Sequence, residues 1–347
     1  MENLSPRHNF YLSGQQKAED IFLQAWKNNN LHHALLLSGP KGIGKASLAF
    51  RIARFLLWAD ENKKDEYKSL NVPCEDNIFK LVASGSHPDL LVIERDYTET
   101  DRKKVIKAIK NGEAMSEAEL SELKKSAFIV VDSIRQINDF LSKTSFNNGW
   151  RIVIIDSADD MNKSANNALL KMLEEPPAKT LLILVNHNQG ALLPTIRSRC
   201  TKLPLQLLTD NEVASLLRRY RSQLNETMIK NIVAISRGSI GKAIKYADYD
   251  IVSLYNDMCS VLCAKRNFAL EKLLSFCNDA VADNEKFVML QELIEKFIKD
   301  SLSEAEDKEA LYACWSETRR MFADCFNLNM DKRFMLINLL TKIAKVL

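Results

Sequence analysis

An apolar run, Ala34-Leu35-Leu36-Leu37, leads through Ser38 into Gly39-Pro40-Lys41-Gly42-Ile43-Gly44-Lys45, and a helix-like stretch from Ala46 to Trp58 follows. A glycine, four intervening residues and then Gly-Lys, set between a strand and a helix, narrows the choice of fold more than any other feature of the chain. The chemistry behind the spacing is specific. Glycines let backbone N–H groups converge on phosphate oxygens, and the helix N-terminus adds partial positive charge. Lys45 then places a cation on the terminal phosphates. The competing reading is a Gly-rich turn with an exposed lysine; the strand–loop–helix setting favours the phosphate loop. On that reading Gly39, Gly42, Gly44 and Lys45 form the cradle, with Ser47 beside it.

Further apolar runs supply partners for that strand. Leu90–Ile93, Ile152–Ile155 and Leu181–Val185 read as strands, and Leu203–Leu207 as a fifth that Pro204 weakens. Unbroken apolar runs suit strands covered on both faces, and alternation with helices predicts a parallel α/β sheet. Between them, residues 132–141 predict a short helix with Ile134, Ile137 and Leu141 on one side. Asn162 is the expected N-cap of another, with Ala165, Ala168, Leu169 and Met172 on one face and Pro176-Pro177 as its stop. Residues 99–125 mix basic and acidic side chains and predict a solvated helix rather than a basic patch. Beyond residue 208 the strand-like runs end. Phe287, Leu290, Ile294, Phe297 and Ile298 keep helical spacing, as do Phe334, Ile337, Leu340 and Ile343-Ala344.

The 347 residues suggest two or three domains, and 48 Lys+Arg against 45 Asp+Glu does not signal a strongly basic binder of nucleic acid, with a local basic patch left open. The seven cysteines include no CxxC pair, which fits reduced thiols in a cytosolic protein. Cys259 and Cys263 fall four apart with no histidine near them, so no zinc site is expected. The polar N-terminus lacks the apolar core of a signal peptide, and no run is long enough to span a membrane. The cytoplasm is the expected location.

Two positions depart from what hydrolysis needs. A P-loop wants Ser or Thr after its lysine to ligate Mg²⁺. Here that residue is Ala46, and Ser47 lies about 100° further round the helix. The companion acid is Asp156, at the end of Ile152–Ile155. Where a hydrolytic relative would follow it with a glutamate base, this chain has Ser157.

Asn166-Asn167-Ala168-Leu169-Leu170-Lys171-Met172-Leu173-Glu174-Glu175-Pro176-Pro177 resembles the NALLKxLEEPP signature of bacterial clamp-loader subunits with the AAA+ fold. Leu193-Pro194-Thr195-Ile196-Arg197-Ser198-Arg199-Cys200 resembles the LPTIxSRC element that follows it in the same family. Together with the P-loop, these motifs cover the first 200 or so residues in the right order. Ala46, Ser157 and Ser86-His87-Pro88-Asp89-Leu90-Leu91 resemble the delta-prime branch of that family in its alpha-proteobacterial form.

The resemblance implies an α/β AAA+ P-loop domain with a parallel sheet over residues 1–207. A small helical lid over 208–250 and an all-α collar over 251–347 would follow. It implies that Arg199 is an arginine finger entering a neighbour's ATP site, presented by Ser198, and that Cys200 is packed. The alternative for Arg199 is a surface arginine at a strand start. Asn186 falls at the family's first sensor position, the alternative being a solvated strand-end Asn. The second sensor arginine of a GSxR element is replaced by Gly241 in Gly238-Ser239-Ile240-Gly241-Lys242. Many relatives carry four zinc-binding cysteines after the P-loop helix, where this chain has Cys74 alone.

The expected cofactor is ATP or ADP in a degenerate site, with Mg²⁺ poorly held and no zinc. The expected partners are the gamma/tau motor subunits, the delta subunit, the sliding clamp and primed DNA, with no membrane. The competing function is an ATP-hydrolysing motor subunit or a related AAA+ helicase; Ala46 and Ser157 argue against it.

Overall fold

The computed structural model describes residues 4–111, 123–145, 149–188, 190–263, 270–303 and 307–347. The chain divides into two compact units, Met1–Thr209 and Asp210–Leu347.

The first unit is built on five parallel strands in the order β2-β3-β4-β1-β5. They are β1 (Ala34–Ser38), β2 (Leu90–Ile93), β3 (Arg151–Asp156), β4 (Thr180–Asn186) and β5 (Thr201–Pro204). The unbroken apolar runs have their reason here. Leu181 to Val185 in the centre of the sheet are each 0% exposed, because successive side chains enter opposite, equally dry layers. Leu35, Leu37, Ile152, Ile154, Leu181, Ile183 and Val185 meet Phe22 and Trp26 of α1 (Gln16–Lys27) and Leu48, Ile52 and Phe55 of α2 (Lys45–Trp58). Leu36, Val153, Ile155, Leu182 and Leu184 meet residues of two helices on the other face. Each such side chain contributes roughly 1.5–3 kcal/mol when withdrawn from water.

Those two helices follow the sequence pattern. One runs Val131–Ser142 and buries Ile134, Ile137 and Leu141. The other runs Lys163–Glu174; Asn162 caps it by accepting the N–H of Ala165 at 2.8 Å, and Pro176-Pro177 lies just beyond its end. The fifth strand differs from expectation. It spans Thr201–Pro204, two residues earlier than Leu203–Leu207, and pairs with β1 alone. Proline is tolerated because it sits at the last position of an edge strand, where no further ladder bond is needed. In the charged insert, Glu99–Lys110 is helical, with Lys103–Glu99 and Lys104–Asp101 pairs, as a solvated helix should have. Residues 112–122 of that insert lie outside the described residues.

All regular structure described in the second unit is helical, from Asp210–Tyr220 to Lys332–Val346. Short polar residues start these helices. Asn225, Ser239, Asp283, Asp307 and Asp331 each accept a backbone N–H from the first turn. Phe287, Leu290, Ile294, Phe297 and Ile298 are buried along Asn284–Ser301, as their spacing predicts. Phe334 is a correction: it is 64% exposed, and the last helix instead buries Met335, Leu336, Leu339, Leu340, Ile343 and Ala344. Leu340, Ile343 and Ala344 are buried as their spacing predicts, Ile337 is half-buried, and Phe334 alone of that set is exposed.

Candidate functional site

Because every strand runs the same way, the carboxyl ends of β1, β3 and β4 open on one edge of the sheet, where α/β proteins place their ligands. Register fixes what gathers there. Ser38 pairs with Asn186, and Asp156 pairs with Val185 one residue before it. At the usual strand spacing, Asp156 stands about 10 Å across the sheet from Ser38.

The Gly39–Lys45 loop rises from this edge. Its first N–H donates to the Asn186 carbonyl at 3.2 Å, tying the loop to β4. Gly42 (φ 84°) and Gly44 (φ 96°) occupy backbone conformations that side chains resist. A Cβ on Gly44 would come within 2.9 Å of Leu12 Cδ1, so the segment before α1 packs directly against the loop. Gln15 holds the same place from behind. Its Nε2 donates to the carbonyls of Ile43 and Gln206, and its Oε1 accepts the Gln206 N–H. Arg54 of α2 anchors the leading segment by donating to the carbonyls of Arg7 and Asn9. Sequence reasoning missed these supports. They join residues 28 to 191 positions apart, beyond any local pattern.

Lys45 is 3% exposed and donates its ammonium protons to the carbonyls of Gly39 (2.6 Å) and Pro40 (2.5 Å). Burial pushes it down to about 8, against the opposing pull of Asp156 and Asp159. Asp156 is pushed above the usual carboxylate range by burial and by the charge of Glu94. Asp159 caps the end of β4 by accepting the N–H groups of His187 and Asn188. His187 is pushed down to about 4, chiefly by burial and then by Lys45, and is neutral at physiological pH.

Asn186 is 0% exposed, not the solvated strand-end residue that was its alternative. Its Oδ1 accepts the Asn188 N–H, while its Nδ2 has no partner among the described residues. Ser38 Oγ and His187 Nδ1 are likewise buried and unpartnered. Buried donors and acceptors left open cost about 1–3 kcal/mol each. Three of them next to a glycine loop and a buried lysine fit a cradle completed by a polar, anionic ligand.

The residue after Lys45 is where a P-loop ligates Mg²⁺. Ala46 offers no oxygen, and Ser47 is the next residue round the helix. Asp156 is the one acid at the strand end, and its Oδ1 already accepts a 3.4 Å contact from Ser157. Among the described residues, no group of three or more His, Cys, Asp or Glu is placed to hold a metal ion.

Arg199 occupies a different place, the turn after the short helix Pro194–Arg197. The backbone there is fixed by Arg199 N–H to the Ile196 carbonyl at 3.1 Å, and Ser198 Oγ donates to Thr195 O at 3.0 Å. Cys200 packs against the core layer, and burial pushes its thiol up to about 12. Gly241 belongs to the other unit, as the second residue of Ile240–Asp248, whose N-cap is Ser239.

The model of a protein family described as DNA polymerase III, delta subunit, matches residues 14–209, more than half of the chain. The chain belongs to the DNA polymerase III delta subunit family. Curated relatives agree with the match. DNA polymerase III subunit delta' of Pseudomonas aeruginosa is 31% identical over 207 residues, covering 60% of this chain and 53% of the relative. The Bacillus subtilis protein of the same name is 28% identical over 204 residues, 58% of this chain and 51% of the relative. DNA polymerase III subunit gamma of Buchnera aphidicola is 26% identical over 273 residues, 75% of this chain and 65% of the relative. The chain therefore spans about half the length of the delta' relatives it matches. No described helix is long and apolar enough to cross a membrane.

Proposed function

We infer that the chain serves as a delta-prime-type subunit of a DNA polymerase III clamp loader, a cytoplasmic assembly that places a sliding clamp on primed DNA. The observation that carries this reading is the contrast within one domain. The phosphate cradle keeps its glycines, Lys45 and a buried, open Asn186, while Ala46 and Ser157 stand where metal and water would be handled.

ATP or ADP bound in the cradle would supply the polyphosphate that satisfies Lys45, the loop N–H groups and Asn186 Nδ2. Lys45 would then exchange the Gly39 and Pro40 carbonyls for phosphate oxygens. With no hydroxyl at position 46 and no glutamate at 157, the chain holds nucleotide without hydrolysing it.

Its contribution to hydrolysis is made in trans. Arg199, carried on the Ser198 turn, enters the ATP site of an adjacent gamma/tau motor subunit and stabilises charge on the transferring phosphoryl group. Residues 208–250 act as a lid and 251–347 as a collar that joins the chain to the motor and delta subunits. Contact with DNA is through backbone phosphates and weakens with salt. The test is ATP hydrolysis by a loader rebuilt from this chain with its cognate gamma and delta subunits. Arg199→Ala is expected to remove one single-turnover phase, slowing that site on the order of 10³-fold. An unchanged time course would end the trans-acting reading.

A further inference from the structure

Arg199 does not hang free in the chain. Its Nη2 lies 2.9 Å from Glu174 Oε1, and its Nη1 donates to the Thr195 carbonyl at 3.1 Å. Glu174 is the last residue of the Lys163–Glu174 helix, which Asn162 caps at the far end, and the double proline follows one residue later. The carboxylate is thus delivered from a rigid element, and the arginine from a turn fixed by its own backbone bonds. The two motifs that the sequence shows as separate signatures, LEEPP and SRC, meet through this pair.

An arginine side chain has many rotamers, and ordering it at the moment of reaction costs rate. A guanidinium carries five N–H donors in a flat fork. Of these, Nη1 spends one hydrogen on Thr195 and Nη2 is ion-paired with the Glu174 carboxylate, fewer contacts than the fork can make. Both side chains remain accessible, 39% for Arg199 and 50% for Glu174, so a partner's phosphate can reach the fork while the carboxylate keeps its hold.

We propose that Glu174 is a positioning residue for Arg199, setting the guanidinium in the orientation from which it enters the neighbouring ATP site. This rests on the trans-acting role given to Arg199 above. Glu174 itself touches neither nucleotide nor metal. It acts through the arginine, and its effect is limited to what one exposed ion pair can carry, about fivefold in rate.

The experiment uses the loader rebuilt with wild-type chain, Glu174→Gln, Glu174→Asp, Arg199→Ala and the Glu174→Gln/Arg199→Ala double variant, read by single-turnover ATP hydrolysis. Glu174→Gln is expected to slow the phase that Arg199→Ala removes by about fivefold, with KM for ATP unchanged, since the contact matters in the transition state. Glu174→Asp should recover part of the rate. The double variant should match Arg199→Ala alone. Raising the salt should narrow the gap between wild type and Glu174→Gln, which a purely structural role would not do. Three results overturn the proposal: Glu174→Gln at the wild-type rate, an added loss in the double variant, or a gap that salt leaves unchanged. If Arg199→Ala itself is silent, the trans-acting role falls and this proposal with it; if Arg199→Ala is slow and Glu174→Gln is not, only the positioning role falls.

Discussion

The phosphate loop and the Arg199 turn lie in one domain and are built on opposite plans. Around the loop the polar groups are buried and several are open: Lys45 is 3% exposed on two loop carbonyls, Asn186 is 0% exposed, and Ser38, Asn186 and His187 keep unpartnered polar atoms. At the turn the polar groups are accessible and satisfied, with Arg199 on Glu174 and Thr195 and with Ser198 on Thr195. A buried site with open hydrogen bonds is completed by something that comes into the protein. An exposed, satisfied cation needs no such completion. The difference teaches that one domain can keep some polar groups open inside and others satisfied at its surface; under the proposed function the first receives nucleotide and the second serves a neighbour.

Substitutions at the loop should strike binding and leave the turn's contribution untouched. Lys45→Ala removes the cation from the cradle. Nucleotide affinity of the purified chain, measured by titration with a fluorescent ADP, is expected to fall between about 10- and 150-fold, the value of a charge-assisted hydrogen bond. Retained affinity would mean that the open atoms around Asn186 serve packing rather than a ligand.

The same lysine should make binding depend on pH. Buried Lys45 loses its proton at about 8, below its ordinary 10.5. An anion binds the charged form, so affinity should fall about tenfold between pH 7 and pH 9, and Lys45→Ala should abolish that slope. The stability of the ligand-free chain should move the other way. Between about pH 8 and 10.5 the unfolded lysine holds a proton that the folded one has lost, so this group makes folding more favourable as pH rises. Parallel titrations of affinity and of the unfolding midpoint check both signs.

A third change restores a missing part. Ala46→Ser returns the hydroxyl that an Mg²⁺ ion needs and should make ATP binding Mg²⁺-dependent, by about fivefold for one added ligand to a charged centre. The unchanged chain should bind with and without Mg²⁺ alike. If the unchanged chain already shows full Mg²⁺ dependence, Asp156 and Ser47 hold the ion, and the contrast between the two regions narrows.

Much of this was legible in sequence because it is local. Leu90–Ile93 reads as a strand from its apolar run, and the Asn162 cap and the Pro176-Pro177 stop bracket a helix from adjacent residues alone. The glycine loop and its departures at 46 and 157 need no structure to be noticed. What escaped is long-range or a matter of one residue of phase. Leu12 and Gln15 support the loop from a segment with no motif of its own. Glu174 and Arg199 lie in signatures 25 residues apart in number, and nothing in either spelling says that they touch. Phe334 sits at the edge of a helical stripe whose phase only packing decides. The fifth strand began two residues early because edge pairing to β1, not apolar content, sets its limits.

The most direct test of the central claim is steady-state ATP hydrolysis by the purified chain alone, set beside the loader rebuilt with it. The account predicts no turnover by the chain, and a loader whose rate depends on Arg199. Turnover by the chain alone that Lys45→Ala abolishes would contradict it and make this protein a motor in its own right.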